Sequence, residues 1–154
     1  MAGKIEARLK ELGIALPAAA QPLASYVPAV QAGSLLFLSG QVTMKDGKRE
    51  FVGKLGRDFT TEEGYQAARL CGINIVAQLK AALGDLDRVR RIVKLTGFVN
   101  CTPEFVEQPQ VVNGASDSLA EIFGDKGRHA RSAVGTVSLP GGVACEVEAI
   151  VEVE

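Results

Sequence analysis

The sequence predicts an α+β domain in which two long helices cover one face of a sheet and leave the other face open. Three observations predict it. The periodicities run in the order strands, helix, strand, helix, strands. Just two segments carry a long helical stripe, and two stripes can cover one sheet face only. The last segment, Val143 to Val153, alternates strictly. Val143, Cys145, Val147, Ala149, Val151 and Val153 share one face; Glu146, Glu148, Ile150, Glu152 and Glu154 share the other. Upstream, Tyr26, Phe37, Ser39 and Gln41 lie on strands where a solvated face would show more charge, so the uncovered face is expected to meet another subunit.

The elements follow in order. Lys4 to Leu12 sets Ile5, Leu9 and Leu12 on one face, with Gly13 placed to end a short amphipathic helix. A Pro/Ala-rich connector completes an N-terminal segment of residues 1–23 within one domain of residues 1–154. Tyr26–Gln31 and Leu35–Gln41 read as strands joined at Gly33-Ser34, and Asp46-Gly47 as a second hairpin turn pairing Gln41–Lys45 with Lys48–Val52. Thr60 and Glu63 fit a capping box that opens a helix over Thr61–Leu83. Ala68, Cys71, Ile75, Leu79 and Ala82 recur along it, and Gly84 stops it. Gly64 and Gly72 inside that helix each cost about 1 kcal/mol relative to Ala, which points to close backbone packing there. A strand follows from Val89 to Val99. A second helix, Gln110 to Phe123, turns Val112, Ala115, Leu119 and Ile122 inward before Gly124. Arg131 to Val137 is a strand, and Leu139-Pro140-Gly141-Gly142 a turn.

Composition narrows the function. The 154 residues include 17 Lys plus Arg against 18 Asp plus Glu, a net charge of -1. That balance offers no broad field to phosphates, so nucleic-acid binding is not expected and a small molecule or another protein is the expected partner. No h-region opens the chain. Pro17, Pro22 and Pro28 break up the uncharged stretch from Leu12 to Met44, so neither a secretory signal nor a membrane span is expected. Cys71, Cys101 and Cys145, odd in number and irregular in spacing, read as buried reduced thiols of a cytoplasmic protein.

Few motifs carry chemistry. With one histidine, His129, and no Cys-x-x-Cys or His-Glu-x-x-His, no zinc site is expected. His129, between Arg128 and Arg131, reads as a solvated loop residue. Gly53-Lys54-Leu55-Gly56 lies between a strand and a helix start and reads as a plain turn. Two features stay open. Arg131 begins an apolar strand and is either a surface cation or a fork that grips a carboxylate through two parallel hydrogen bonds. Glu146 and Glu148 are either the wet side of an amphipathic sheet or, at a subunit contact, acid/base candidates.

Arg131-Ser132-Ala133-Val134-Gly135, then Leu139-Pro140, then VACEVEAIV from Val143 to Val151, resemble the C-terminal signature of the Rid/YjgF family. Its members are reactive-intermediate (enamine/imine) deaminases, formerly named endoribonuclease L-PSP. The resemblance extends back through Lys94–Val99, Val112-Asn113, Ser39-Gly40-Gln41 and Tyr26 with Ala29-Val30, covering roughly residues 24 to 153. It implies a chorismate-mutase-like α+β fold and a homotrimer with clefts between subunits. It places the carboxylate-gripping arginine at Arg131 and the water-positioning glutamate at Glu146. Tyr26, Ser39, Gly40, Asn113 and the backbone of Ala133 fall at substrate-binding positions. Ala133 stands where many members have Cys or Thr, and Tyr26-Val27-Pro28 replaces the commoner Tyr-Ser-Gln.

The implied reaction is hydrolysis of a small 2-imino acid, in equilibrium with an enamine of the 2-aminoacrylate type, to a 2-keto acid and ammonia. A protonated imine is already electrophilic, so this chemistry calls for no metal and no cofactor. Two other readings stand beside it: a carboxylate-binding or regulatory trimer without turnover, which shares every residue named, and a ribonuclease, as the older family name suggests. Against the latter stand the single histidine and the absence of a basic patch.

Overall fold

Hydrophobic periodicity sorts the chain into two layers, and the computed structural model describes residues 3–22 and 24–154. The helices are α1 (Lys4–Glu11), α2 (Thr61–Leu83) and α3 (Gln108–Phe123). The strands are β1 (Ala29–Ala32), β2 (Leu35–Val42), β3 (Met44–Lys45), β4 (Lys48–Arg49), β5 (Val89–Asn100), β6 (Ala130–Thr136) and β7 (Cys145–Val153). Five strands form a mixed sheet in the order β1-β2-β7-β5-β6, with β5 and β6 parallel and the other pairs antiparallel. β3 and β4 form a separate two-stranded ribbon. The architecture is the expected α+β arrangement, with α1 as a third, shorter helix. Among the described residues, no helix is long and apolar enough to cross a membrane.

α2 starts where its capping box requires. Thr60 Oγ1 accepts from the Glu63 amide at 3.2 Å, and Glu63 Oε1 accepts from the Thr60 amide at 3.0 Å. Ala68, Cys71, Ile75 and Leu79 are fully buried, but the expected inward residue Ala82 is exposed and Leu83 faces the core instead. α3 begins at Gln108, two residues earlier than expected, because Pro109 occupies its first turn, where no amide hydrogen is needed. The glycines of α2 sit at close approaches. A methyl group on Gly72 would come within 3.1 Å of the Ala115 Cα on α3, and one on Gly64 within 2.9 Å of Val111. α1 ends as expected at Gly13, whose φ of +70° favours glycine. Its free Lys4 and Ile5 amides donate to Asp87 at 2.9 Å each, and these bonds hold the Asp87 carboxyl below its ordinary pKa.

The core lies between this helix layer and one sheet face. Leu95, Val99, Val147 and Val151 from the sheet meet Ile75, Leu79, Val112 and Leu119 from the helices, all fully buried. Burial of each such side chain stabilises the fold by about 1.5–3 kcal/mol. The three thiols are buried and unpaired, and burial pushes the Cys71 pKa well up.

Four further details differ from the sequence expectation. β1 begins at Ala29 and leaves Tyr26 in a bend, because Pro28 has no amide to give the ladder. The Asp46-Gly47 ribbon is two residues per strand, since Gln41 and Val42 belong to β2. Val143 lies outside β7, bridging Val52 instead. Gln41 is 5% exposed and faces the helices. The cause is a bulge at Ser39-Gly40: Leu38 opposes Ala149, yet Gln41 opposes Val147, so β2 carries one extra residue and its alternation reverses.

Candidate functional site

Arg131 lies on β6, the outermost strand beside β5. In parallel register it pairs with Leu95, and Ala133 pairs with Gly97. Leu95 and Gly97 face the helices, so Arg131 and Ala133 do too. That register brings the guanidinium against the first half of α3. Arg131 Nη1 donates to Asn113 Oδ1 at 2.8 Å and to Ser116 Oγ at 3.1 Å, and Nη2 donates to the Pro109 carbonyl at 3.3 Å. The cation is partly exposed, forms no ion pair among the described residues, and is held by neutral acceptors alone. It is therefore a fixed positive charge without a counterion, the arrangement that suits a carboxylate ligand.

Glu146 belongs to a second group. It opposes Val42 and Phe98 on the uncovered sheet face, and its carboxylate lies against the bulge so closely that a methyl on Gly40 would collide with it. Ser39, the other bulge residue, ties this region to the segment before β1. Its amide donates to the Pro28 carbonyl at 2.9 Å, and its hydroxyl to the Val27 carbonyl at 2.8 Å. Exposed Tyr26 stands at the start of that tethered segment. Glu146 is half-buried, and burial, with a smaller push from the Glu148 charge, raises its carboxyl pKa above the ordinary value. A carboxylate shifted in this direction is a better proton acceptor when ionised.

The seven residues singled out by sequence thus fall into two groups. Arg131, Asn113 and Ala133 lie at the sheet's edge on the helix side; Tyr26, Ser39, Gly40 and Glu146 gather at the bulge, with Glu146 on the open side. One chain does not bring its own Arg131 and Glu146 onto one substrate. The open face also carries Val30, Phe37, Val134 and Ile150, with Phe37 43% and Val134 44% exposed.

Sequence reasoning missed two residues. Ser116 was not singled out, although Pro109, Asn113 and Ser116 follow the four- and three-residue steps of one helix face. His129 is not a solvated loop residue. Its ring is half-buried, with Nδ1 2.6 Å from the Gly127 carbonyl and Nε2 2.8 Å from Ser116 Oγ. Burial, and less strongly the Arg131 charge, hold its pKa below the ordinary 6.5, while the Gly127 carbonyl pushes the other way. A broad apolar groove between α1, the connector and α2 (Leu9, Ile14, Leu16, Pro17, Ala77) carries no comparable convergence of polar groups; its Glu6 and Lys80 pair with each other.

Comparison with known proteins identifies the family. Residues 6–153 match the family model described as "YjgF/chorismate_mutase-like, putative endoribonuclease". The chain is 52% identical to Protein TCP17 of Trypanosoma cruzi, over 97% of this chain and 94% of that one. It is 33% identical to a 2-iminobutanoate/2-iminopropanoate deaminase of Dermatophagoides farinae, over 92% and 95% respectively. A crystal structure described as a "putative endoribonuclease" from Shewanella oneidensis superposes with a TM-score of 0.95 at 40% identity, over 98% of this chain and all of that one. The chain belongs to the YjgF/chorismate-mutase-like family.

Proposed function

We propose that this protein hydrolyses small 2-imino acids to 2-keto acids and ammonia in clefts between subunits of a homotrimer. The observation that carries the reading is Arg131, a positive charge fixed by Asn113, Ser116 and Pro109 with donors left over for a carboxylate. The deaminase relative supports the same chemistry.

The residues would divide the work as follows. Arg131 of one subunit holds the substrate carboxylate and so fixes the imine carbon. Glu146 of the neighbouring subunit holds the attacking water and takes a proton from it as the new C–O bond forms. The carbinolamine nitrogen, a stronger base than the carboxylate, then takes that proton from Glu146. As the C–N bond breaks and ammonia leaves, the oxygen forms its second bond to carbon and its hydroxyl proton passes to the ionised Glu146, giving the keto group. Ser39, the Gly40 backbone and Tyr26 line the approach to the water, and the Ala133 backbone lies beside the carboxylate. Assembly is required because Arg131 and Glu146 face opposite sides of one sheet, and the open face, with exposed Val30, Phe37 and Val134, supplies a surface for it.

The test uses imine generated by an amino-acid oxidase, with semicarbazide trapping whatever remains free. The protein should divert imine from the trap, and Arg131→Ala should lower kcat/KM about 10²–10⁴-fold, the loss of two charge-assisted hydrogen bonds, while the assembly persists. Undiminished diversion by Arg131→Ala would remove this residue from the mechanism. RNA cleavage that survives both the substitution and extensive purification would favour a ribonuclease instead.

A further inference from the structure

We propose that Ser116 and His129 are positioning residues for Arg131, selecting which of its N–H groups stay free for the substrate carboxylate; the assignment rests on the hydrolytic reading above. A carbonyl can only accept, so His129 Nδ1, 2.6 Å from the Gly127 carbonyl, must carry a hydrogen. In the neutral ring Nε2 is then a bare acceptor, and the Ser116 hydroxyl at 2.8 Å must give it its single hydrogen. With that hydrogen committed, Ser116 Oγ presents lone pairs to Arg131 Nη1 at 3.1 Å. The hydrogen bonds run in one direction, from Arg131 to Ser116 to His129 to the Gly127 carbonyl, and each polarises the next.

The consequence lies in what Arg131 has left. A guanidinium has five N–H groups. Both on Nη1 are used, by Ser116 and Asn113, and one on Nη2 is used by Pro109. The Nε–H and one N–H of Nη2 remain, and these two atoms lie on the same edge of the guanidinium, spaced to meet the two oxygens of a carboxylate side-on. Burial and the adjacent Arg131 charge both favour the neutral ring.

Truncating Ser116 frees Nη1 to rotate away and releases the edge. The grip on the carboxylate is made in ground state and transition state alike, so its loss appears in KM and not in kcat. Ser116→Ala and His129→Ala are expected to raise KM for the imine and weaken pyruvate binding by about 5–30-fold, as for the loss of one or two kcal/mol. The kcat value should stay near that of the unaltered protein, and Ser116→Thr, which keeps the hydroxyl, should restore affinity. His129 is the only histidine, so ¹⁵N NMR of the full-length protein reports its ring alone and should show the neutral form with hydrogen on Nδ1. Unchanged KM and pyruvate affinity in Ser116→Ala, or a neutral ring carrying its hydrogen on Nε2, would overturn the assignment while leaving the hydrolytic reading intact. An unaltered protein that neither accelerates imine hydrolysis nor binds pyruvate would overturn both.

Discussion

The Arg131 and Glu146 groups are finished to different degrees. Arg131 is satisfied by its own chain: three neutral acceptors hold it, and a half-buried imidazole stands behind one of them. Glu146 is the opposite. It is half-buried, faces another acid, forms no ion pair among the described residues, and is confined by a backbone irregularity. Preorganisation in this fold comes from the layer that stands behind a side chain. A helix laid along an edge strand can build a cation site within one chain, because side chains and carbonyls converge there. An open sheet face can desolvate and crowd a carboxylate but has no second layer to complete its surroundings.

The sharpest break of this comparison is complementation. Arg131→Ala and Glu146→Gln chains, each inactive alone, should on co-assembly regain about a quarter of the sites of a symmetric trimer, those pairing an intact Arg131 with an intact neighbouring Glu146. Imine diversion by the mixture measures this; a mixture as inactive as its parts would mean both residues act from one chain.

A smaller effect is expected from Glu146→Gln by itself. Turnover should fall about 10²–10⁴-fold while pyruvate still binds. The same variant reads the cost of the unfinished site. Because the folded-state pKa is raised, the fold favours protonated Glu146, so the stability linked to it is present below the ordinary value of 4.5 and lost as pH rises through the folded value. Glu146→Gln should therefore be the more stable protein at neutral pH in denaturant titrations, the gain vanishing in acid. A gain that persists unchanged below pH 4.5 would remove the titration as its cause.

The smallest effects separate the two groups through glycine. At Gly114, beside Asn113, an added methyl would strike the Tyr65 carbonyl of α2, so Gly114→Ala should cost about 1–3 kcal/mol of stability as backbone moves. At Gly40 the collision is with the flexible Glu146 side chain, so Gly40→Ala should lower kcat with little change in the melting temperature. Equal effects of both on stability would erase the distinction.

What the sequence reveals follows the range of its signals. The capping box at Thr60, the Gly13 stop and the alternation of β7 are local, and each is found where expected. Arg131 and Glu146 can each be found from sequence, but their opposite facings cannot. Alternation orders the residues within a strand, whereas relating β6 to β7 requires the register of β5, which lies between them. The inward turn of Gln41 escapes for a similar reason: no composition signal marks a bulge that depends on a partner strand. His129 escapes because the run Arg128-His129-Ala130-Arg131 reads as solvated until α3 is folded against it.

The extra residue in β2 also changes how function and folding can be separated. Leu38 and Gln41 already keep step with Ala149 and Val147, so removing one of the two residues between them would restore a regular ladder and leave every inward side chain in place. The interior makes no demand for that supernumerary residue, and the side chain packed against it is that of Glu146. On the proposed reading, the length of this strand, more than its chemistry, is what the fold sets aside for the site.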